Sequence, residues 1–179
     1  MFGYLLRRVF RLAAVSRTKV RKPPPINNKP RIKYHRTPTS DQIIGRVYVI
    51  DGDSIKCQGY EIRLDDIDAP EYHQTAYNYE GKEIRIGAIA KSALIKRLAG
   101  KTVEVKVSKT DRYGRTVGTV FCEGENINLW LIKRGMAVSA FGNRYFKAEQ
   151  WAKEKKLGIW GLNSKYTPQE WRNRFNRKP

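Results

Sequence analysis

Residues 44–71 read IGRVYVIDGDSIKCQGYEIRLDDIDAPE, and this stretch decides the fold. Its first seven residues have the β-branched and aromatic character of a strand, which ends at the turn signal Asp51-Gly52-Asp53. Two short strands, at 54–58 and 60–64, are then folded back at Gly59. The stretch therefore predicts a strand followed by a β-hairpin.

The rest of the predicted fold extends outward from this hairpin. Periodicity predicts helices at 83–98, 126–134 and 145–156 and strands at 102–107 and 116–122. Around the third helix, Phe146, Trp151 and Leu157 are available for the core. Five short strands with a helix between the third and the fourth favour a five-stranded Greek-key barrel of the oligonucleotide-binding (OB) type over a sandwich. The expected fold class is therefore α+β, mainly β, with three helices.

The charge of the chain is unevenly distributed. It has 36 Lys and Arg residues against 17 Asp and Glu, and a net charge of +19 favours a polyanionic partner such as nucleic acid or an anionic membrane surface. Residues 1–40 carry eleven of the basic residues and no acid, whereas residues 41–163 carry 20 basic and 16 acidic residues. The predicted globular part is therefore only mildly basic.

Four regions are predicted along the chain. Residues 1–22 form a basic amphipathic segment, residues 23–42 a proline-rich, disordered basic linker, residues 43–161 the barrel domain and residues 162–179 a basic C-terminal tail. Within the first region, residues 2–13 place apolar side chains on one face and three arginines on the other. This pattern fits a mitochondrial-type presequence or a helix in contact with a membrane surface, and it fits a basic disordered arm equally well.

Composition disfavours several classes of protein. No apolar run approaches the roughly 18–20 residues of a membrane span, and arginines interrupt the apolar segment that a secretory signal needs. We therefore expect an intracellular location, which would be mitochondrial if the source is eukaryotic. Cys57 and Cys122 are too few for a zinc finger, and no glycine-rich phosphate loop is present. We expect the protein to be a monomer.

The acids and arginines around the first hairpin are candidates for catalysis. Folding the hairpin brings Asp53 and Asp68 together, and two converging carboxylates suit Ca²⁺ or Mg²⁺ better than zinc. Glu71 could reach the same cavity, with Arg63 and Arg115 beside it. A cation, a carboxylate base and two arginines are the parts that phosphodiester hydrolysis requires. Acids at turns and arginines on strands are also common without any catalytic role, so spacing alone leaves both interpretations open.

Four motifs in one order resemble those of the thermonuclease, or staphylococcal nuclease-like, family. They are Asp51-Gly52-Asp53-Ser54, Ile62-Arg63-Leu64, Ile67-Asp68-Ala69-Pro70-Glu71 and Asp111-Arg112-Tyr113-Gly114-Arg115. The ending Leu157-Gly158-Ile159-Trp160 is also similar, so the resemblance extends over residues 43–161.

The resemblance implies a calcium-dependent phosphodiesterase, an endonuclease that hydrolyses DNA and RNA with single strands favoured. The family breaks the bond to the 5′ oxygen and leaves 3′-phosphate ends. By this similarity Asp53 and Asp68 would bind Ca²⁺, with the backbone carbonyl of Ala69 as a further ligand.

The same resemblance implies roles for five other residues. Glu71 would be the general base, directly or through water, and Arg63 and Arg115 would stabilise the phosphoryl transition state. Arg112 and Tyr113 match positions that hold another phosphate of the substrate.

The chain departs from the family pattern at several positions. Ala69 occupies a position where the secreted bacterial enzyme has threonine. This change leaves the backbone carbonyl available as a ligand. Asp65 and Asp66 occupy positions that are usually apolar or small, and we interpret them as solvated acids at a strand end rather than as ligands. Phe141 lies in a segment with one aromatic residue where the secreted enzyme has two tyrosines, which bears on affinity for bases.

Three alternatives to a nuclease of this family stay open. The first is a catalytically silent barrel that binds nucleic acid, a protein or a membrane; such a module would be expected to lose one of the three catalytic candidates, and all are present. The second is a two-metal nuclease built on Glu104-x-Lys106, a tripeptide too common to be specific. The third is a membrane-surface protein in which residues 2–13 are the functional part.

Overall fold

A computed structural model describes residues 38–175 of the chain. The predicted amphipathic segment at 1–22 and most of the predicted linker at 23–42 lie outside the described residues. No helix within the described part of the chain is long and apolar enough to cross a membrane.

Residues 38–175 form ten strands, four α-helices and one 3₁₀ turn. They are β1 (Gln42–Asp51), β2 (Ser54–Cys57), β3 (Tyr60–Leu64), β4 (Ile67–Asp68), β5 (Thr75–Tyr77), β6 (Glu83–Arg85), α1 (Ile86–Leu98), β7 (Thr102–Thr110), β8 (Thr116–Cys122), β9 (Glu125–Asn126), α2 (Ile127–Lys133), β10 (Val138–Ser139), α3 (Phe146–Glu154), a 3₁₀ turn (Gly158–Gly161) and α4 (Pro168–Phe175).

Five of the strands form a closed barrel, which confirms the predicted fold class. Hydrogen-bonded neighbours run in the order β3-β2-β1-β7-β8, and β3 then pairs with β8 to close the circle. The closing pair is parallel, with Ile62 opposite Thr116 and Leu64 opposite Gly118. The first hairpin turns at Gln58 and Gly59, which both have positive φ as a two-residue type I′ turn requires.

The core lies inside the barrel and under two of the helices. Its apolar residues come from alternate positions of the strands and from one face each of α1 and α2. Strand β7 illustrates this, because Val103 and Val105 are buried while Lys106 is exposed. Leu94 on α1 and Leu131 on α2 are fully buried in the same core.

The structure corrects two of the predicted helices. The helix predicted at 83–98 begins only at Ile86, because residues 83–85 pair with β5 instead. In α3, Phe146 and Trp151 are about half exposed, so their predicted place in the core is wrong. The buried face of α3 carries Ala152 and Glu149, since the Glu149 carboxylate accepts a hydrogen bond from the backbone of β10.

Residues 162–179, predicted to be a basic C-terminal tail, contain the helix α4. Thr167 and Glu170 form a capping box at its start: the Glu170 carboxylate accepts from the Thr167 backbone N–H at 2.8 Å, and the Thr167 hydroxyl accepts from the Glu170 N–H at 3.3 Å. Pro168 occupies the first helical position, where its missing N–H costs nothing.

Candidate active site

Two carboxylates meet at one end of the barrel and share an arginine. Asp53 lies in the turn after β1, and Asp68 is the last residue of β4. Arg63 on β3 lies between them, with Nη2 at 3.0 Å from Asp53 Oδ2 and 2.9 Å from Asp68 Oδ1. The hairpin register produces this arrangement, because Ser54, next to Asp53, lies opposite Arg63.

Both carboxylates are buried, which is costly for a charged group. Asp53 is 5% exposed and Asp68 is 3% exposed. Burial raises the pKa of Asp53, although Arg63 opposes the rise. Asp53 also accepts hydrogen bonds from the Ser54 hydroxyl at 3.0 Å and from the Ala69 backbone N–H at 3.2 Å. The site therefore holds two acids that favour a cationic partner.

Glu71 joins this cluster through Arg172 of α4. Arg172 Nη1 donates to Glu71 Oε1 at 2.9 Å and to Asp68 Oδ1 at 3.0 Å, and its Nη2 donates to Asp68 Oδ2 at 2.8 Å. Burial alone would lower the pKa of Arg172, but the hydrogen bonds to the two carboxylates raise it overall. The Arg172 guanidinium is therefore a fixed positive charge between the carboxylates of Asp68 and Glu71.

The turn between β7 and β8 forms the opposite wall. Asp111 Oδ1 accepts from the backbone N–H groups of Tyr113 and Arg115, both at 2.9 Å, and its Oδ2 accepts from Arg115 Nε at 2.8 Å. Burial would raise the pKa of Asp111, but these bonds lower it overall. Arg112 stacks on the exposed ring of Tyr113, with Cζ 4.9 Å from the ring centroid. The turn thus presents two guanidiniums and a phenol ring.

The two walls enclose a cavity of about 810 Å³. Of the eight residues predicted from the sequence for the site, seven line it: Asp53, Arg63, Ala69, Glu71, Arg112, Tyr113 and Arg115. Asp68 lies beneath the surface and contacts the lining residues Arg63 and Arg172. Within the described residues, no hydrogen bond joins the carboxylate cluster to the turn, so the cavity separates them.

The structure corrects the interpretation of Asp65 as a solvated acid. Asp65 is 7% exposed, and its carboxylate accepts from the Thr119 hydroxyl at 3.0 Å and from the Asn128 side-chain amide at 2.7 Å. Asn128 also accepts from the backbone N–H of Val120. Asp65 therefore fastens α2 to the barrel. Asp66 is partly exposed at the cavity edge, with a positive φ of 55°.

Two residues near the site were missed by sequence reasoning. Arg172 was assigned to the basic tail, although the Thr167-Pro168-Gln169-Glu170 capping pattern was a signal for a helix there. Gln74, which is 1% exposed, links the backbone of Glu71 to that of Tyr166, just ahead of α4, through its side-chain amide. No local pattern marks a buried glutamine of this kind.

The donor atoms of the cluster fit a hard cation. Within residues 38–175, no group of three or more His, Cys, Asp or Glu side chains is already arranged to hold a metal ion. Asp53, Asp68 and Glu71 nevertheless supply carboxylate oxygens, the ligand type that Ca²⁺ and Mg²⁺ prefer. The three carboxylates share two guanidiniums, those of Arg63 and Arg172, so one negative charge of the cluster has no paired cation.

The chain is similar to known proteins over most of its length. Residues 61–162 match the family described as staphylococcal nuclease homologue. The chain is 37% identical over 150 residues to succinoglycan biosynthesis protein ExoI of Rhizobium meliloti, covering 81% of this chain and 78% of the relative.

Several relatives are named as nucleases, among them one from a plant and one from a bacterium. The chain is 30% identical over 165 residues to staphylococcal-like nuclease CAN1 of Arabidopsis thaliana, covering 90% of this chain and 47% of that protein. It is 31% identical over 135 residues to an uncharacterized endonuclease of Haemophilus influenzae, covering 70% of each. The chain thus spans about half of the plant relative.

Proposed function

The chain belongs to the staphylococcal nuclease homologue family, and we propose that it is a calcium-dependent phosphodiesterase that cleaves DNA and RNA internally. One observation supports this proposal most strongly. A cluster of three acids and an arginine lies across one cavity from Arg115; its members are Asp53, Arg63, Asp68 and Glu71. These are the acids and arginines that in-line hydrolysis of a phosphodiester requires.

In this proposal Asp53 and Asp68, with the backbone carbonyl of Ala69, hold Ca²⁺. The bound ion supplies polarisation of a phosphoryl oxygen. Burial of both carboxylates favours this role, because buried acids gain more from a cation than exposed acids do.

Glu71 is the proposed general base. It takes a proton from water, whose oxygen bonds to phosphorus while the bond to the 5′ oxygen breaks. The products are a 3′-phosphate and, after protonation of the leaving oxygen, a 5′-hydroxyl. Glu71 is partly exposed at the cavity wall, where water reaches it.

Arg63 and Arg115 are proposed to stabilise the charge on the phosphoryl oxygens. A guanidinium suits this role because it is always charged and donates through a planar fork. Arg115 is held by Asp111 through Nε, while its Nη2 lies 2.8 Å from the same carboxylate. The aspartate therefore keeps the guanidinium at the cavity edge.

The same wall supports binding of a single strand. Arg112 can pair with a neighbouring phosphate, and Tyr113 and Phe141 are exposed aromatic rings that line the cavity at 62% and 74% exposure. Bases stack on such rings without regard to sequence, with about 1–3 kcal/mol per base. We therefore propose single-stranded DNA and RNA as substrates.

The test is cleavage of a labelled single-stranded oligonucleotide by the full chain with Ca²⁺ and then with excess chelator. We expect cleavage only with Ca²⁺, with products that a 3′-phosphatase converts to slower-moving species. The Asp53→Asn variant should lose activity. Glu104→Gln is the control, because Glu104 lies on β7 away from the cavity and belongs to the two-metal alternative.

A folded protein that binds the oligonucleotide without cleaving it would instead support the silent barrel. Equal loss of activity in Asp53→Asn and Glu104→Gln would remove the basis for this assignment of the site.

A further inference from the structure

The helix α4 reaches into the proposed active site through one side chain. Within residues 38–175, the Arg172 side chain donates three hydrogen bonds, all of them to Asp68 and Glu71. Both oxygens of Asp68 are engaged by Arg172, and one of them is also engaged by Arg63. The guanidinium therefore covers the oxygen atoms that a cation would use.

The charges of the cluster indicate that Arg172 and a divalent cation are alternatives. Asp53, Asp68 and Glu71 carry three negative charges, and Arg63 carries one positive charge among them. Arg172 brings the cluster to a net charge of −1, and a divalent ion in its place would neutralise it. Both together would leave a net positive charge around two buried carboxylates, which is costly where water is excluded.

The attachment of α4 allows Arg172 to withdraw. Pro168 is the one buried residue of this helix, and Trp171 is only partly buried. Ahead of the helix, Gln74 Nε2 donates to the Tyr166 carbonyl at 2.9 Å and provides an anchor that does not involve Arg172. Opening of the helix beyond this anchor exposes little apolar surface, so its free-energy cost is low.

We propose that Arg172 is a built-in competitor of the divalent cation: it neutralises Asp68 and Glu71 in the cation-free protein, and α4 releases them when the ion binds. The inference rests on the proposed function, since it concerns the same carboxylates. It assigns to the C-terminal helix the control of cation affinity, and with it the concentration of cation at which the nuclease becomes active.

The first test is the dissociation constant of Ca²⁺ for the full chain, measured by isothermal titration calorimetry without nucleic acid. Charge-assisted hydrogen bonds of this kind oppose binding by about tenfold or more. We therefore expect Arg172→Ala and Arg172→Gln to bind Ca²⁺ at least about tenfold more tightly than the unchanged protein. The glutamine variant keeps most of the side-chain length, and circular dichroism establishes that each variant is folded.

The control is Arg174→Ala, which removes the same charge from the same helix. Arg174 lies over the rings of Tyr166 and Phe175, with Cζ 5.4 and 5.9 Å from their centroids, and not on the carboxylates. Removing the Arg174 charge should change the Ca²⁺ affinity only through long-range electrostatic interaction. Equal affinities of the Arg172 and Arg174 variants would overturn the proposal.

The second test measures the helix itself, because binding linkage is reciprocal. If Ca²⁺ displaces Arg172, hydrogen exchange of residues 168–175 should become faster when Ca²⁺ is added. Unchanged exchange at saturating Ca²⁺ would contradict the displacement of the helix.

The Asp53→Asn variant separates this proposal from the function on which it rests. Asp53 accepts no hydrogen bond from Arg172, so its replacement tests the cation site alone. Suppose that Asp53→Asn abolishes Ca²⁺ binding and that the Arg172 variants bind Ca²⁺ with the same affinity as Arg174→Ala. The proposal that Arg172 competes with the cation is then wrong, and the proposed function stands. If Asp53→Asn binds Ca²⁺ normally, both proposals fail.

Discussion

Gln74 donates a hydrogen bond from its side-chain amide to the backbone carbonyl of Tyr166, 92 residues later in the chain, at 2.9 Å. Its side-chain oxygen accepts from the backbone N–H of Glu71 at 3.2 Å. One buried side chain therefore holds both the backbone of the proposed base and the start of α4. The two parts of the site are positioned by a residue that touches no cation or substrate in the proposed mechanism.

Replacing Gln74 with Ala should destabilise the protein by about 2 kcal/mol, because it removes the acceptor for the Glu71 N–H and leaves the Tyr166 carbonyl only the bond from the Ser164 hydroxyl. Urea denaturation measures the loss in the free energy of unfolding. Gln42→Ala is the matched control, since Gln42 is exposed at the start of β1, and it should change stability by less than about 0.5 kcal/mol. Similar losses in the two variants would show that the buried amide is not structural.

Gly87 on α1 packs directly against the backbone of Glu71. A Cβ atom at this position would overlap the Glu71 carbonyl oxygen and carbon. We expect Gly87→Ala to destabilise the protein by about 1–3 kcal/mol, despite the better helix propensity of alanine, and to reduce cleavage by moving the base. Gly142→Ala provides the comparison, because its Cβ would meet Asp66 at an ordinary 3.6 Å. If both variants unfold at the same urea concentration, the contact between Gly87 and the Glu71 backbone leaves room for a methyl group.

Asp111 should make stability depend on pH in the acid range. Its pKa in the folded protein is below the ordinary 3.8, so its contribution is present above that value and is lost as the pH falls through the folded pKa. Asp111→Asn keeps an oxygen for the backbone N–H groups but has no carboxylate to titrate. The difference in unfolding free energy between the two proteins should be constant near neutral pH and shrink below 3.8. A difference that does not vary with pH would exclude this carboxylate as the source.

Arg115→Ala should lower kcat by roughly 10³-fold, if the guanidinium stabilises the transition state as such arginines do. Arg115→Lys should recover little, because an ammonium cannot reproduce the planar fork. Steady-state cleavage with Ca²⁺ gives kcat and KM separately, and Arg46→Ala removes an exposed arginine from β1 as the control. A change confined to KM would mean that Arg115 only binds substrate.

The barrel and one wall of the site were predictable because their signals are local. The turn at Gln58 and Gly59 sets the hairpin register, and the register sets Arg63 beside Asp53. The order of the family motifs along the chain then indicated which other residues lie near Arg63 and Asp53. The position of Asp68 followed from the same stretch of 28 residues.

The features that were missed depend on contacts distant in sequence. Arg172 donates hydrogen bonds to Asp68 and Glu71, which lie 104 and 101 residues earlier in the chain. Asp65 accepts a hydrogen bond from Asn128, which lies 63 residues later. The periodicity of α3 was correct but its orientation was not, because the bond from Ser139 to Glu149 turns that side of the helix inward. Patterns of hydrophobicity do not encode such polar pairings.

The parallel pairing of β3 with β8 also affects how a newly made chain acquires activity. Arg63 lies on β3 and Arg115 directly precedes β8, so one cavity receives both only when these strands have paired. Pairing between strands far apart in sequence is slow, and β8 leaves the ribosome after β1, β2 and β3. Under the proposed function, a nascent chain therefore lacks a complete catalytic centre until β8 has been synthesised and has paired with β3.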